Sequence, residues 1–188
     1  MQTNFLKEML ANIRGINSLT ILNQKQFASS VEHTLTKLTE TNKVIYISMT
    51  KSAEDIFATA KTKENIFVID VFSRESTFAN GIDPQTIYIS NPANLTRIQI
   101  AVNKALKKFP SAIILFDSLG VLSVYTDEKL FQKFIYLFSN KMNLIRGSII
   151  FFAVKGTINE EILSTVKQFC DKVYDFSELY IESVELAH

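Results

Sequence analysis

Cysteine, histidine, glycine and proline are all scarce in this chain of 188 residues. It has one cysteine, Cys170, together with two histidines, five glycines, three prolines and no tryptophan. A single cysteine excludes a disulfide framework and any zinc site built from several thiolates. Two scattered histidines, His33 and His188, exclude most histidine-based metal sites. The shortage of glycine bears on phosphate binding, because a phosphate-binding turn needs residues that adopt a positive φ and bring backbone N–H groups close to the ligand.

The charge is balanced and the apolar runs are short. Twenty basic and nineteen acidic residues give a formal net charge of +1, so no overall field favours nucleic acid or anionic lipid. The longest apolar runs, at residues 112–116 and 149–154, are far shorter than the ~20 residues of a membrane span. Residues 1–8 carry an acid and polar groups where a signal peptide needs an apolar run. We therefore expect a soluble, cytoplasmic protein.

Short apolar segments alternate with segments of helical period, which is typical of βα units. The segments at residues 112–116 and 147–154 suit central parallel strands covered by helices on both faces. Further strands are predicted at residues 18–22, 43–49, 66–71, 86–90 and 172–176. Helices are predicted at residues 26–39, 52–60, 91–108, 127–143 and 159–169. The alternation of residues 179–186 is compatible with an antiparallel edge strand. No linker or repeat divides the chain, so we expect one α/β domain over residues 1–188 with a mostly parallel sheet.

A ligand site is expected beyond the carboxyl ends of the strands, because open parallel sheets bind ligands there. The residues at those ends are Asn23, Gln24, Thr50, Lys51, Asp70, Asn91, Asp117, Ser118, Lys155 and Gly156. Residues of these types also begin loops and cap helices. For any one position, a structural role therefore stays open beside a functional one.

Residues 113–118, IILFDS, resemble the Walker B segment of the RecA-like ATPases, especially their KaiC and RadA branch, in which an apolar strand ends in Asp-Ser. The other segments that fit the family pattern are residues 5–10, 15–20, 44–48, 51–56, 91–95 and 151–156. The resemblance covers nearly the whole chain. It implies a three-layer RecA-like fold of the P-loop NTPase type, with helices on both faces of a mostly parallel sheet.

The chain departs from this family where phosphate would bind. The Walker A turn combines glycines with a lysine and a serine or threonine. The equivalent stretch here is NQKQFASS, residues 23–30. Asn23 and Ala28 stand at the glycine positions, Ser29 at the lysine position, and Ser30 at the position of the magnesium-binding hydroxyl. The resemblance therefore implies a degenerate Walker A.

The family's catalytic glutamate is missing as well. RecA-like ATPases place a glutamate just after the second strand, where Thr50 and Lys51 stand here, and neither is a general base at neutral pH. The remains of a nucleotide site would be Lys25, Ser29, Ser30, Asp117 and Ser118. Asp117 would hold Mg²⁺ if nucleotide bound, but without the loop we favour a helix N-cap. We expect no catalytic residue, no metal and no cofactor, with ATP and Mg²⁺ as the alternative ligands.

The helix predicted at residues 127–143 is apolar over most of its circumference. Such a helix is either enclosed by the core of its own chain or shared with a second chain. Tyrosines are amphipathic aromatics of a kind enriched at interfaces. The interface residues predicted here are Tyr125, Phe131, Phe134, Tyr136 and Phe138. Burial within the chain's own core is the alternative.

The resemblance and its departures together predict a RecA/KaiC-like pseudo-ATPase that acts as a regulatory or scaffolding protein without hydrolysing nucleotide. It would form a homo-oligomer or associate with a RecA/KaiC-like ATPase, and we expect neither nucleic acid nor membrane as a partner. The alternative is a protein that binds a nucleotide or another phosphate ligand through Lys25, Ser29, Ser30 and Asp117 without hydrolysis.

Overall fold

The computed structural model describes residues 9–73 and 83–178. Within them the backbone forms one sheet of seven strands, in the order β4-β3-β2-β5-β6-β1-β7. Its strands are β1 (Asn17–Leu22), β2 (Val44–Ser48), β3 (Ile66–Asp70), β4 (Thr86–Tyr88), β5 (Ile113–Asp117), β6 (Ser148–Val154) and β7 (Lys172–Asp175). Each of the described strand pairs is parallel. The antiparallel edge strand considered for residues 179–186 lies outside the described residues.

Six helices and one short 3-10 turn, Lys63–Asn65, connect the described strands. The helices are α1 (Gln24–Thr41), α2 (Ala53–Thr59), α3 (Leu95–Lys108), α4 (Leu119–Tyr125), α5 (Glu128–Leu144) and α6 (Glu160–Gln168). Side chains of Asn23, Ser52 and Asp127 accept the backbone N–H groups that α1, α2 and α5 leave free at their first turns. In this described part of the chain, no helix has the length and hydropathy needed to cross a membrane.

The sheet separates two apolar layers. Helices α1 and α2 pack on one face against inward-pointing side chains such as Val44 and Tyr46. Helices α3 to α6 pack on the other face, against the alternate residues Ile45 and Ile47. Because both faces are covered, every residue of β2, β3, β5 and β6 is buried. This arrangement confirms the predicted α/β class with helices on both faces of a parallel sheet.

Three helices differ from the sequence-based expectation. Helix α3 begins at Leu95, after its N-cap Asn94, and not at residue 91. Helix α1 begins at Gln24 and not at residue 26, because the Asn23 side chain caps it directly after β1 and the next residues favour helix. Helix α4, Leu119–Tyr125, was not predicted at all. The differences in α1 and α4 fall at the carboxyl edge of the sheet, where the candidate site lies.

Three of the aromatic residues predicted at an interface are core residues instead. Phe131, Phe134 and Phe138 on α5 are at most 2% exposed. The rings of Phe134 and Phe138 lie 6.1 and 6.4 Å from the ring of Phe116 on β5. Their spacing of three and four residues directs all three toward the sheet, so they belong to the core of this chain and the interface prediction is wrong for them.

The two tyrosines of that prediction lie at the surface. Tyr125 at the end of α4 is 51% exposed, and Tyr136 on α5 is 47% exposed. The Tyr136 ring also packs edge-on against Phe169, at 5.3 Å between centroids. A role of Tyr125 and Tyr136 in an interface stays a prediction.

Candidate functional site

A cleft of about 500 Å³ lies at the carboxyl edge of the sheet, between helices α1 and α4. Strands β2 and β5 are neighbours there, with Ser48 opposite Asp117. The chain continues from β2 into α2 on one face of the sheet and from β5 into α4 on the other. Loops that diverge in this way open a crevice, which is where parallel α/β sheets bind ligands.

Asp117, at the end of β5, is the most deeply buried acidic group of the cleft, with 1% of its surface exposed. Its Oδ2 atom accepts hydrogen bonds from the Tyr46 hydroxyl at 2.6 Å and the Thr50 hydroxyl at 2.7 Å. Burial raises the pKa of the Asp117 carboxyl, while the two hydrogen bonds and the charge of Lys51 act in the opposite direction. The N-cap of α4 is Ser118, so the prediction that Asp117 caps a helix is wrong.

Tyr46 is not among the site residues predicted from the sequence, yet its hydroxyl donates a hydrogen bond to Asp117. Its side chain is 1% exposed on the face of β2 that α1 and α2 cover. Burial raises the pKa of the Tyr46 hydroxyl well above its usual value, and the neighbouring Asp117 carboxylate raises it further. The hydroxyl therefore stays protonated and acts as a hydrogen-bond donor.

Thr50 and Lys51 follow β2, at the position where the RecA-like ATPases have their catalytic glutamate. The Thr50 hydroxyl is used by Asp117. The Lys51 ammonium forms an ion pair with Glu32 of α1, and the Lys51 side chain is 28% exposed. Lysine and threonine here connect β5, β2 and α1 and provide no general base.

The predicted phosphate-binding residues lie on α1, and the structure does not bring them to the cleft together with Asp117. Lys25 and Ser29 are exposed, and Ser30 is 4% exposed. The Ser29 hydroxyl donates to the carbonyl of Gln26 within the same helix, at 3.1 Å. Of the five residues predicted for a nucleotide site, Asp117 and Ser118 line the cleft, and these three are absent from its lining.

The α1 side of the cleft is mostly apolar, with Gln24 as its polar residue. Its apolar lining residues are Phe27, Ala28 and Val31. Val31 is four residues from Phe27 and three from Ala28, so the three side chains lie on one side of the helix. The Phe27 ring packs edge-on against Phe152 of β6, at 6.4 Å between centroids, which fixes the wall to the sheet. In the sequence, the helical spacing of Phe27 and Val31 indicates only a buried face.

The opposite wall belongs to the unpredicted helix α4. Val121, Val124 and Tyr125 line the cleft from this side. Gly120 lets α4 approach the β6–α6 loop, because a Cβ atom at that position would lie 2.4 Å from the Thr157 hydroxyl oxygen. The sequence signal for α4 is weak, because it consists of a serine followed by Leu119 and Leu122, three residues apart. Both leucines are buried in the structure.

Asp70, the other acidic residue at a strand end, has a structural role. It is fully buried at the end of β3. Its carboxylate accepts the backbone N–H groups of Ala53, Phe72 and Ser73 at distances of 2.7 to 2.9 Å. Asp70 thus holds the start of α2 and the turn after β3, as expected of a strand-end residue that organises loops.

The cleft therefore combines apolar walls with one polar end. Asp117, Ser118, Thr50 and Lys51 form that end. A carboxylate and hydroxyl groups offer acceptors to a ligand, and the walls offer apolar contact. Among the described residues, the arrangement contains neither a nucleophile paired with a base nor a cluster of three or more histidine, cysteine or carboxylate ligands for a metal.

Comparison with solved structures shows where this fold occurs. The chain is similar to the KaiC-like protein PH0186 from the hyperthermophilic archaeon Pyrococcus horikoshii, with a TM-score of 0.61 and 11% sequence identity. The match covers 90% of this chain and 75% of that one. At this identity the likeness shows the fold alone, and it confirms the predicted RecA-like α/β fold.

Sequence comparison places the chain more narrowly. No curated protein matches it in sequence. A family model does match, over residues 18–176, from the second residue of β1 to the residue after β7. Because this match spans most of the sequence, the chain belongs to the family of unknown function DUF7504.

Proposed function

We propose that this RecA-like domain does not hydrolyse nucleotide and acts by associating with another protein. The observation that carries the proposal is the junction between β1 and α1. Asn23 alone separates the strand from the helix, and Gln24 to Ser30 already lie in α1. Beyond the first turn, helical N–H groups bond to carbonyls of the same helix. They are therefore not free to converge on a phosphate, as the amides of a phosphate-binding loop do.

The residues that would hold Mg²⁺ and ATP do not fit that ligand. Asp117 Oδ2 already accepts two hydroxyl donors, and the helical Lys25 and Ser29 are exposed outside the cleft lining. Among the described residues, Lys51 is the cation that lines the cleft, and it is paired with Glu32. A triphosphate would meet a buried carboxylate and apolar walls, which disfavour anions.

The surface that supports association lies on α5. Leu130, Leu137 and Leu144 are 51%, 45% and 85% exposed, and we call these three residues the leucine face. A spacing of seven residues keeps them in one line along the helix, with a drift of roughly 20° per heptad. Single exposed leucines are common on protein surfaces, whereas an aligned row is typical of a helix that packs against another helix.

The charges beside the leucine face favour an acidic partner. Lys133 lies between Leu130 and Leu137, and Lys141 lies between Leu137 and Leu144, each at helical spacings of three and four. A second copy of the same helix would bring lysines toward lysines. A partner helix with leucines flanked by glutamates would pair both the apolar row and the charges.

A peptide-binding experiment tests the association. The probe is a synthetic amphipathic helix with leucines at heptad positions and flanking glutamates, and its comparison peptide carries lysines in place of the glutamates. We expect the acidic peptide to bind, and Leu137→Lys to weaken that binding at least about tenfold by placing a charge in the apolar contact. Fluorescence anisotropy of labelled peptides measures both.

The matched control is Ile100→Lys on α3, since Ile100 is also an exposed aliphatic residue on a helix, at 49%. Ile100→Lys should leave peptide binding unchanged. Equal binding of the acidic and basic peptides would contradict the proposed partner chemistry. Sedimentation velocity adds a further outcome: self-association that Leu137→Lys abolishes would replace the acidic partner with a second copy of this chain.

A phosphate-release assay tests the absence of hydrolysis. We expect no Mg²⁺-dependent release from ATP above the level of the Asp117→Asn variant. Hydrolysis by the wild type that disappears in Asp117→Asn would contradict the proposal. Binding of nucleotide without hydrolysis is the alternative, and a rise in melting temperature with Mg²⁺ and ATP would favour it, because a ligand that binds only the folded state stabilises it.

A further inference from the structure

The cleft between α1 and α4 has the size and lining of a small-molecule site. Its volume of about 500 Å³ lies within the roughly 300–1,000 Å³ typical of such sites. Phe27 and Val31 form one wall, and Val121 and Val124 form the other. Val124 is 78% exposed, so an occupant would cover apolar surface that now faces solvent.

One buried polar atom at the end of this cleft lacks a partner. Asp117 lines the cleft and is 1% exposed, and its Oδ2 atom accepts from Tyr46 and Thr50. Its Oδ1 atom has no hydrogen-bond donor among the described residues. A buried carboxylate oxygen without a donor is costly, and a ligand that donates a hydrogen bond there would remove that cost.

The charges at that end favour a cationic donor. Asp117 and Glu32 carry two negative charges, and Lys51, which pairs with Glu32, carries one positive charge. Among the described residues, Lys51 and Asp117 are the charged residues of the cleft lining, and Glu32, which lies outside the lining, offsets the charge of Lys51. An ammonium group would therefore be attracted, while a carboxylate or phosphate would be repelled by Asp117.

We propose that the cleft binds a small apolar amine, with its hydrocarbon part between α1 and α4 and its ammonium group donating a hydrogen bond to Asp117 Oδ1. Ser118 stands beside this position. Its hydroxyl caps none of the α4 amides and lies in the lining, where it accepts a second hydrogen bond from the ammonium. The proposal concerns a ligand of this cleft and is independent of association through the leucine face.

A matched series of three probes tests the head group. The probes are 2-phenylethylamine, 2-phenylethanol and 3-phenylpropionate, which share the phenyl ring and differ in the polar group. Titrations followed by amide resonances should show saturable shifts at Val121, Val124 and Thr157. We expect the amine to bind at least about tenfold more tightly than the alcohol, since a charged hydrogen bond contributes more than a neutral one, and the acid to bind most weakly.

Two variants locate the site. Ala28→Phe fills the cleft from α1 and should abolish amine binding, whereas the control Ala58→Phe, at an exposed alanine of α2 outside the lining, should leave it unchanged. Asp117→Asn retains the shape but removes the charge, so the amine should lose its advantage over the alcohol. If Asp117→Asn fails to fold, Ala28→Phe and the probe series still decide.

Three outcomes would overturn the inference: no binding of the amine, acid binding as tight as amine binding, or amine binding that survives Ala28→Phe. None of them touches the leucine face, so the peptide experiment with Leu137→Lys would still decide the proposed association. Conversely, a failure of the acidic peptide to bind would not contradict the proposed amine site.

Discussion

Two strand-to-helix junctions at the same edge of the sheet have opposite characters. At the β1–α1 junction, Asn23 caps a helix that begins at once, and its side chain accepts the N–H of Gln26 at 3.0 Å. At the β5–α4 junction, Asp117 is buried and turned to long-range partners, the hydroxyls of Tyr46 and Thr50. The first junction serves local folding, whereas the second connects neighbouring strands and borders the cleft.

This difference explains the chemistry of the cleft. An anion site needs free N–H groups or cations, and the β1–α1 junction uses its first-turn N–H of Gln26 for capping. The β5–α4 junction contributes the Asp117 carboxylate, which accepts hydrogen bonds, and the Ser118 hydroxyl, which can also accept them. The buried Asp117 carboxylate at this end of the cleft favours ligands that donate hydrogen bonds over phosphates, and four substitutions or conditions test the contrast.

The largest effect is expected from Tyr46→Phe at the β5 side. Loss of the hydroxyl leaves buried Asp117 Oδ2 with Thr50 as its remaining donor. A hydrogen bond to a charged group contributes roughly 1.5–3 kcal/mol, so the free energy of unfolding should fall by about 2 kcal/mol. Urea denaturation measures it. Tyr136→Phe, at a half-exposed tyrosine, is the control and should change stability by less than about 0.5 kcal/mol. Equal losses would refute the role assigned to Asp117.

Asn23→Ala tests the β1 side. Removing the cap should lower the free energy of unfolding by about 1 kcal/mol, because the Gln26 N–H loses its side-chain acceptor. Asn23→Asp keeps an acceptor oxygen and should retain most of the stability. Thermal or urea unfolding of both variants decides, and an equally large loss in Asn23→Asp would argue against a capping role.

The pH dependence of stability distinguishes the two junctions further. The folded-state pKa of Asp117 is raised above the ordinary aspartate value of 3.8 by burial. At pH values between 3.8 and the raised pKa, the folded state binds more protons than the unfolded state. The contribution of Asp117 to stability is therefore present below pH 3.8 and is lost as pH rises through the folded pKa. Because the two hydroxyls and Lys51 oppose the burial effect, the net slope should be shallow.

Asp117→Asn removes this titration. The difference in unfolding free energy between wild type and Asp117→Asn should decrease as pH rises through the weakly acidic range, measured by urea denaturation at a series of pH values. Asn23→Ala changes no charge, so its free energy of unfolding should depend on pH in the same way as that of the wild type. A difference between wild type and Asp117→Asn that grows with pH would mean that the pKa of Asp117 is lowered.

The smallest effect is expected from Lys51→Met. The ion pair of Lys51 with Glu32 is partly exposed, with 28% and 45% of the two side chains accessible, and such pairs contribute about 0–1 kcal/mol. The loss should shrink further at high salt. A loss as large as that of Tyr46→Phe, unaffected by salt, would show that Lys51 is needed to stabilise Asp117 directly.

Much of this fold was predictable because its signals are local. The unbroken apolar segments of β5 and β6 indicate buried parallel strands. The capping residues Ser52 and Asp127 indicate where helices α2 and α5 begin. The outward position of Tyr136 and the inward position of Phe134 could not be separated, because α5 is apolar on most sides. Which side faces the sheet depends on where the helix packs.

The site was harder to predict because its contacts are long-range. Tyr46 and Asp117 are 71 residues apart in sequence and meet only because β2 and β5 are neighbours. Helix α4 is short, contains Gly120 and leaves no clear period in the sequence. The early start of α1 depends on one cap at Asn23. The positions of strand ends therefore identified Asp117 and Ser118, while the apolar walls required the packed helices.

A titration of the ¹⁵N-labelled protein with Mg²⁺ and ATP tests the central claim most directly. If the β1–α1 junction is an ordinary capped helix start, the amide resonances of Asn23 to Ser30 should show no saturable shift up to millimolar ligand, while the spectrum of the rest of the chain stays unchanged. Saturable shifts at these amides, together with shifts at Asp117 and Ser118, would show that the junction still binds phosphate and would contradict the account.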